Sequence, residues 1–238
     1  MSEMKMMYEG KAKRVYSTPK DHVLRLEFKD SLTAFNALKK GSFEQKGKVN
    51  RDIASLLFRI LKKQGVNSHW LEDQGDHDML VQSVKIIPLE VVVRNVLAGS
   101  TAKKLGMSEG KELAQPLVEF YYKDDALGDP FVSDDQILMM GVSQQKELEE
   151  LKTAASKINQ ILLKTFAEVG IRLIDFKVEF GRNHQSELLL ADEITPDCCR
   201  LWDMKTEEKL DKDRFRRDLG SIKESYEEVY RRLKEKFQ

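Results

Sequence analysis

The sequence predicts an α+β fold of two lobes, a small antiparallel β-rich lobe over residues 1–80 and a larger mixed α/β lobe over residues 81–238. Three observations carry this. Strand-like alternation dominates the first third of the chain, strands and helices mix after it, and the stretch from Gly75 to Val84 joins the two regimes. A chain of 238 residues has ample material for a core.

The elements follow in order. Met6 to Tyr16 is strand-like and broken at Gly10, and "HVLRLEF" (His22 to Phe28) alternates as a half-buried strand. From Asn50 the period changes. Ile53, Leu56, Leu57, Ile60 and Leu61 fall at helical spacing, and Gly65 supplies a stop. "MLVQSVKII" and "LEVVVRNVL" read as strands separated by Pro88, which cannot donate to a sheet ladder. "LVEFYYK" is another strand. Leu148, Leu151, Ala155, Ile158, Leu162 and Phe166 form one face of a helix from about Gln144 to Val169. A hairpin runs from Arg172 to Ile194, and a charged amphipathic helix from Ser221 closes the chain.

Composition excludes some classes of function. Lys plus Arg balances Asp plus Glu at 40 each, so no global basic surface argues for nucleic acid. No apolar run reaches the roughly 18 residues of a membrane span, and the start, MSEMKMMYEG, has no apolar region of a secretory signal. The only cysteines, Cys198 and Cys199, are adjacent, which makes a poor disulfide and no zinc site. A reducing, cytoplasmic setting is expected. The four histidines, His22, His69, His77 and His184, lack metal-ligand spacing and read as surface or loop residues.

The hairpin "RLIDFKVEFGRNHQSELLLADEI" poses the chemical question, because its apolar stretches carry Asp175, Lys177, Glu179, Asp192 and Glu193. Alternation puts Asp175, Lys177 and Glu179 on one face and Ile174, Phe176, Val178 and Phe180 on the other. A solvated face opposite a core face would account for that strand. The partner strand argues otherwise, since Asp192 interrupts the apolar series Leu188, Leu190 and Ile194, and an unpaired buried carboxylate costs several kcal/mol. Glu179 and Asp192 on adjacent strands could hold Mg²⁺, which takes a few carboxylate oxygens plus water and substrate phosphates. Lys177 beside them could neutralise a phosphate or carboxylate.

Other clusters carry weaker signals. In "YEGKAKRVY", Gly10 precedes Lys11 and Lys13, which alternation puts on one face. Such a turn can approach phosphates, although exposed hairpin lysines are the more common case. In "PLEVVVRNVLAGS", Glu90, Val92 and Arg94 share a face, and an arginine on a valine-rich strand needs an anion. Ser100 follows at a helix start. A Glu90–Arg94 ion pair with Ser100 as a cap is the simpler alternative. Asp129 precedes Pro130 in the acidic turn "KDDALGDPFV" and could face a metal, and Arg200 lies just past the charged hairpin.

Taken together, "YEGKAKRVY", "KDSLTAFN", "KGKVN", "IPLEVVVRNVLAGS", "FYYKDDALGDP", "RLIDFKVEFG", "LLADEITPDCCRLWD" and "LDKDRFRRDLGS" run in this order from Tyr8 to Ser221. The ordered set resembles the phosphoribosylaminoimidazole-succinocarboxamide synthase (SAICAR synthetase) family over nearly the whole chain. The resemblance implies an ATP-dependent ligase of purine biosynthesis. It would join L-aspartate to the carboxylated aminoimidazole ribonucleotide, releasing ADP and phosphate, with Mg²⁺ as cofactor.

It also implies ATP in a cleft between the lobes, as in kinase-like and ATP-grasp-like architectures. Gly10, Lys11, Ala12, Lys13 and Val15 would cover the phosphates, and Val81, Gln82 and Val84 would meet adenine. Glu179 and Asp192 would serve the nucleotide and its Mg²⁺, with Glu90 and Asp129 near the imidazole carboxylate or a second metal. Arg94, Ser100 and Arg200 would hold the ribonucleotide. Lys123, Asp175, Lys177 and Arg216 would join the substrate and aspartate pockets, with Lys177, Asp129 and Asp175 nearest the chemistry. Thr195 stands where serine is common in the family, and Cys198 and Cys199 fall at variable positions. Two other classes are a small-molecule kinase of similar shape, which would release no phosphate, and a non-catalytic nucleotide-binding module, which would lack Glu179 or Asp192. The partners expected are the three small molecules, with no nucleic acid and no membrane. A homodimer stays open.

Overall fold

The computed structural model describes residues 5–34 and 38–238. Phe35 and Asn36 of the "KDSLTAFN" motif lie outside the described residues. The first sheet contains β1 (Met6–Glu9), β2 (Lys13–Ser17), β3 (Val23–Phe28), β6 (Trp70–Gln74) and β7 (Asp78–Gln82), all antiparallel in the order β1-β2-β3-β7-β6. Between β3 and β6 the chain forms the hairpin β4 (Ser31–Ala34) and β5 (Lys39–Ser42), and then helix α1 (Lys46–Lys63).

The helix begins one turn earlier than its apolar period predicts. Val49 of that first turn meets the core, but the other inward side chains there, Lys46 and Asn50, are buried against a carboxylate instead. Its C-terminus is a Schellman stop. Gly65 has φ +72, its N–H donates to Lys62, and the N–H of Val66 donates to Leu61.

The second sheet has the order β10-β9-β8-β11-β12, with β13 also paired to β11. Its strands are β8 (Lys85–Val96), β9 (Glu112–Tyr122), β10 (Phe131–Val132), β11 (Ile171–Arg182), β12 (Leu188–Ala191) and β13 (Cys199–Asp203). The short helices α2 (Gly99–Lys104) and α3 (Asp134–Met139) interrupt them. Pro88 does not split a strand as expected. β8 runs through it, because the ladder bulges there: the step from Ile86 to Glu90 lies opposite the shorter step from Gly181 to Glu179. The break falls instead at Ser83–Val84, between the two sheets.

Helix α4 (Gln145–Ala167) packs its fully buried face, Leu148, Leu151, Ala155, Ile158, Leu162 and Phe166, against β8, β9 and β11. α5 (Asp213–Arg216) and α6 (Ile222–Phe237) complete the chain, α6 lying on α1. One continuous apolar cluster joins β3, α1, α4, β8, β11 and α6.

Two details place the charges. β11 pairs with β13 over Ile171–Phe176 and with β12 over Glu179–Arg182, so the connection Asp192–Cys198 leaves the sheet opposite Lys177. The N–H of Lys177 donates to Cys198 at 2.9 Å. Opposite β13, β11 also shifts register between Leu173 and Asp175. Ile174 therefore joins a separate cluster with Val96, Ala98 and Trp202, while Phe176, Val178 and Phe180 enter the main core. The expected single apolar face breaks at that bulge.

Candidate active site

The two sheets face one another across a cavity of about 820 Å³. Every candidate residue from the sequence lines it: Gly10, Lys11, Ala12, Lys13 and Val15 from the first hairpin, Val81, Gln82 and Val84 from the end of the first sheet and the link after it, and Glu90, Arg94, Ser100, Lys123, Asp129, Asp175, Lys177, Glu179, Asp192, Arg200 and Arg216 from the rest of the chain. The charged face of β11 is not solvated. Asp175 and Glu179 are buried, and both sides of the strand are covered.

Lys177 is the hub of the cavity floor. Its Nζ lies 2.7 Å from Glu179 Oε1, 3.3 Å from Asp192 Oδ2 and 3.2 Å from Glu90 Oε1. Burial alone would lower its pKa, but Glu179, Asp192 and Glu90 outweigh burial and raise it well above the ordinary lysine value. Lys13 reaches the same cluster from β2, donating to Asp192 and, at 2.8 Å, to Glu193. Lys123 donates to Glu179 from the end of β9. Burial would raise the Asp192 carboxyl, yet Lys13, Lys177 and Lys123 hold it far below the usual range. Glu90 is displaced upward by burial, with Lys177 opposing. Asp192 is not a strand residue as expected. β12 ends at Ala191, and Asp192 turns the chain at φ +63, a conformation Asp tolerates, which aims its carboxylate at the lysines.

A second chain of charges lines another wall. Arg94 donates from Nε to Glu119 and from Nη1 to Asp175, both at 2.7 Å, and from Nη2 to the Tyr121 hydroxyl at 3.2 Å. The alternative Glu90–Arg94 pair is absent among the described residues, since Glu90 serves Lys177. Asp175 faces Arg94 across the ladder and also accepts from Arg200 Nη1 at 2.9 and 3.1 Å. Arg200 Nε in turn donates to Asp213. Gly99 makes room for this. Its φ is +61, and a Cβ there would sit 2.7 Å from the Arg200 guanidinium carbon.

Some other placements differ from expectation. Lys11 and Lys13 do not share a face, because Lys11 lies in a bend before β2 and pairs with the exposed Asp125. Ser100 is exposed, and α2 is preceded by Ala98 with no side-chain cap. Asp129 sits at φ +49, and its Oδ1 accepts the N–H of Asp124. His69 lies in the loop before β6, as one of the two expected placements had it, but not at the surface. It is buried against Phe58 and lines the cavity, with no hydrogen-bond partner for Nε2 among the described residues. Burial, with Lys13 nearby, pushes its pKa down to about 4, so it is neutral at physiological pH.

Sequence reasoning also missed a buried cluster at Asp197, whose carboxylate receives Lys46 Nζ at 2.5 Å, Asn50 at 2.9 Å and the Tyr226 hydroxyl at 2.8 Å. Lys46 and Tyr226 occupy helix positions where their types suggest solvent and packing. The available signal was that Lys46 and Asn50 put polar side chains on the inward face of α1; Tyr226 fits the apolar stripe of α6 with Val229 and Leu233 and gave none.

Among the described residues no three His, Cys, Asp or Glu side chains are preassembled as a metal cage. The donor set suits a hard cation nonetheless. Glu179 and Asp192 offer carboxylate oxygens, and ammonium groups already occupy the positive position between them. Mg²⁺ commonly needs only one or two carboxylates plus substrate phosphates. Chemically, the cavity pairs a lysine–carboxylate floor with an arginine-lined wall, an arrangement for bringing two anionic ligands together.

Comparison with known proteins finds similarity over nearly the whole chain. The family model described as SAICAR synthetase matches residues 6–233. A phosphoribosylaminoimidazole-succinocarboxamide synthase of Desulfitobacterium hafniense is 53% identical over 235 residues, 99% of this chain and 98% of that protein. The crystal structure of the synthase of that name from Ehrlichia chaffeensis superposes with TM-score 0.94 at 43% identity, covering 97% of this chain and 98% of that one. A SAICAR synthetase in complex with ADP superposes with TM-score 0.92, also at 43% identity, covering 97% of each chain.

Proposed function

The chain belongs to the SAICAR synthetase family, and from that premise we propose that its cavity joins the amine of L-aspartate to the carboxylate of the aminoimidazole ribonucleotide, with ATP converted to ADP and phosphate. The single observation that carries the reading is the lysine–carboxylate floor beside an arginine-lined wall in one cavity.

A free carboxylate resists attack by an amine, because it is anionic and has no leaving group. Transfer of the γ-phosphoryl group makes one: a carboxylate oxygen bonds to the γ-phosphorus as the bond to the β,γ-bridging oxygen breaks and ADP departs. The amine, as free base, then adds to the carbonyl carbon, phosphate leaves with that carboxylate oxygen, and the nitrogen gives up one proton to water to leave the neutral amide. The first step brings two anions together. In this reading Lys13, Lys123 and Lys177 offset their repulsion at the floor, while Arg94 and Arg200 orient the ribonucleotide. Glu179 and Asp192 would hold Mg²⁺, with Glu90 and Asp129 available to a second ion. The metal's contribution is to neutralise charge on the transferring phosphoryl oxygens. Gly10 to Val15 would cover the phosphates, and Val81, Gln82 and Val84 would meet adenine. No helix among the described residues is long and apolar enough to cross a membrane. A cytoplasmic enzyme of small-molecule substrates, with residues 1–80 as the nucleotide cover, completes the proposal.

The test uses heavy oxygen in the substrate carboxylate. One labelled oxygen is expected in the released phosphate. Unlabelled phosphate, with product formed in equal amount, excludes the acyl phosphate.

A further inference from the structure

We infer that Asp213 is a positioning residue, which aims the guanidinium groups of Arg200 and Arg216 at a phosphate monoester in the cavity. The inference deepens the proposed function and rests on it for the identity of the ligand, the ribonucleotide. Asp213 is buried, and its carboxylate is fixed from both sides. Its own N–H donates to Asp211 Oδ1 at 2.7 Å, which pins the turn that carries it. Its Oδ2 accepts Arg200 Nε at 3.0 Å, and its Oδ1 accepts Arg216 Nη1 at 2.6 Å. Burial would raise this carboxyl, but Arg200 and Arg216 hold it down near 2, so it stays ionised at working pH.

The two arginines reach Asp213 with only part of each fork. Among the described residues, Arg200 Nη2 and the Nε and Nη2 of Arg216 have no protein acceptor, and both side chains line the cavity. Arg200 is held at a second point by Asp175, over the space that Gly99 leaves open. Donors held by their inner edges, with outer edges bare in a cavity, form a preorganised anion site. A phosphate monoester suits it, because planar forks can share its several oxygens.

The sign of one substitution separates positioning from charge. Asp213→Asn removes a negative charge beside the cavity, so a purely electrostatic role predicts tighter binding of an anion. A positioning role predicts weaker binding, because both guanidinium groups lose their anchor. The experiment is calorimetric titration of wild type, Asp213→Asn and Asp213→Glu with three ligands: the ribonucleotide, its ribonucleoside without phosphate, and ADP. In Asp213→Asn the ribonucleotide is expected to bind about tenfold weaker or more, equivalent to roughly 1.4 kcal/mol. The ribonucleoside and ADP should be unchanged, and Asp213→Glu, which keeps the carboxylate, should recover part of the loss. Unchanged or tighter ribonucleotide binding overturns the inference, and so does an equal loss for the ribonucleoside. If Asp213→Asn does not fold, Arg216→Gln removes one arm from a more exposed position and must show the same phosphate-selective loss. A wild-type protein that binds ribonucleotide and ribonucleoside equally overturns the siting of the phosphate itself. That failure is seen before any substitution is made.

Discussion

Replacing Lys177 with methionine isolates the electrostatics of the floor. Methionine keeps much of the side chain's length and removes only the ammonium group. In the wild type, Lys13, Lys123 and Lys177 face Glu90, Glu179, Asp192 and Glu193. Without Lys177, two ammonium groups remain for four carboxylates, and Glu90 has no cation among its described contacts. Removing one partner of a buried pair costs ~3–5 kcal/mol. Lys177 and Glu90 are each about a quarter exposed, so the lower end applies, about 3 kcal/mol near pH 8. For a chain of this length that is a fall in Tm of about 6–12 °C.

The pH dependence fixes the cause of that loss. In the wild type the Asp192 pKa is depressed, so its contribution is present above the unfolded value and is lost as pH falls. In Lys177→Met the Asp192 and Glu90 carboxyls lose a cation that lowers them and move upward, and Glu90 starts from a raised value. A raised acid gives its stability below the unfolded pKa and loses it as pH rises. The gap between the two proteins should therefore be small near pH 4.5 and widen toward pH 8. Urea unfolding at both pH values measures it, with equal m-values as the check on two-state behaviour. Mg²⁺ alone should raise the Tm of Lys177→Met more than that of the wild type, because the carboxylates have lost a competing cation. A gap independent of pH, with no differential response to Mg²⁺, would refute the reasoning.

Two further substitutions test other walls. Asp192→Asn is nearly isosteric, so the fold should survive while turnover drops at least about tenfold, roughly 1.4 kcal/mol in the barrier; wild-type turnover at saturating Mg²⁺ would remove Asp192 from the metal floor. Gly99→Ala puts a Cβ 2.7 Å from the Arg200 guanidinium carbon in a left-handed backbone, so it should lose about 1–2 kcal/mol of stability and weaken ribonucleotide binding with ADP binding intact. Unaltered ribonucleotide affinity would show that Arg200 does not need its present place.

The parts of this molecule visible in the sequence are those where side-chain period and burial agree. The α4 stripe from Leu148 to Phe166 and the alternation of β3 are visible because one face meets the core and the other does not. Legibility fails where polar residues point inward. Lys46 and Asn50 hid the first turn of α1, because they face Asp197 rather than the core. It fails again where the ladder slips. The bulge at Pro88 and the one before Asp175 follow from pairing across strands, which no single strand's pattern contains. The site was legible as a list of residue types but not as a set of partners. Arg94 was correctly read as needing an anion, yet Glu119 and Asp175 lie 25 and 81 residues away along the chain.

Those partners explain why a buried hairpin can hold five charges. Asp175 lies between two arginines, Lys177 among three carboxylates, Glu179 and Asp192 each between two lysines, and Glu193 accepts Lys13. An isolated charge at any of these positions would cost several kcal/mol, and the internal pairing avoids that cost. The same pairing bears on catalysis. In the proposed reaction an anionic ligand entering with a cation would exchange partners, taking the lysines while the cation takes the carboxylates, so binding would not strip the buried groups of all compensation. The strands supply rigidity for that exchange: β8 and β11 are each 12 residues long and paired on both sides, so donors and acceptors stay in place while their partners change. A surface carrying the same charges could not do this, since solvent would screen each group and no ligand would find it prepared.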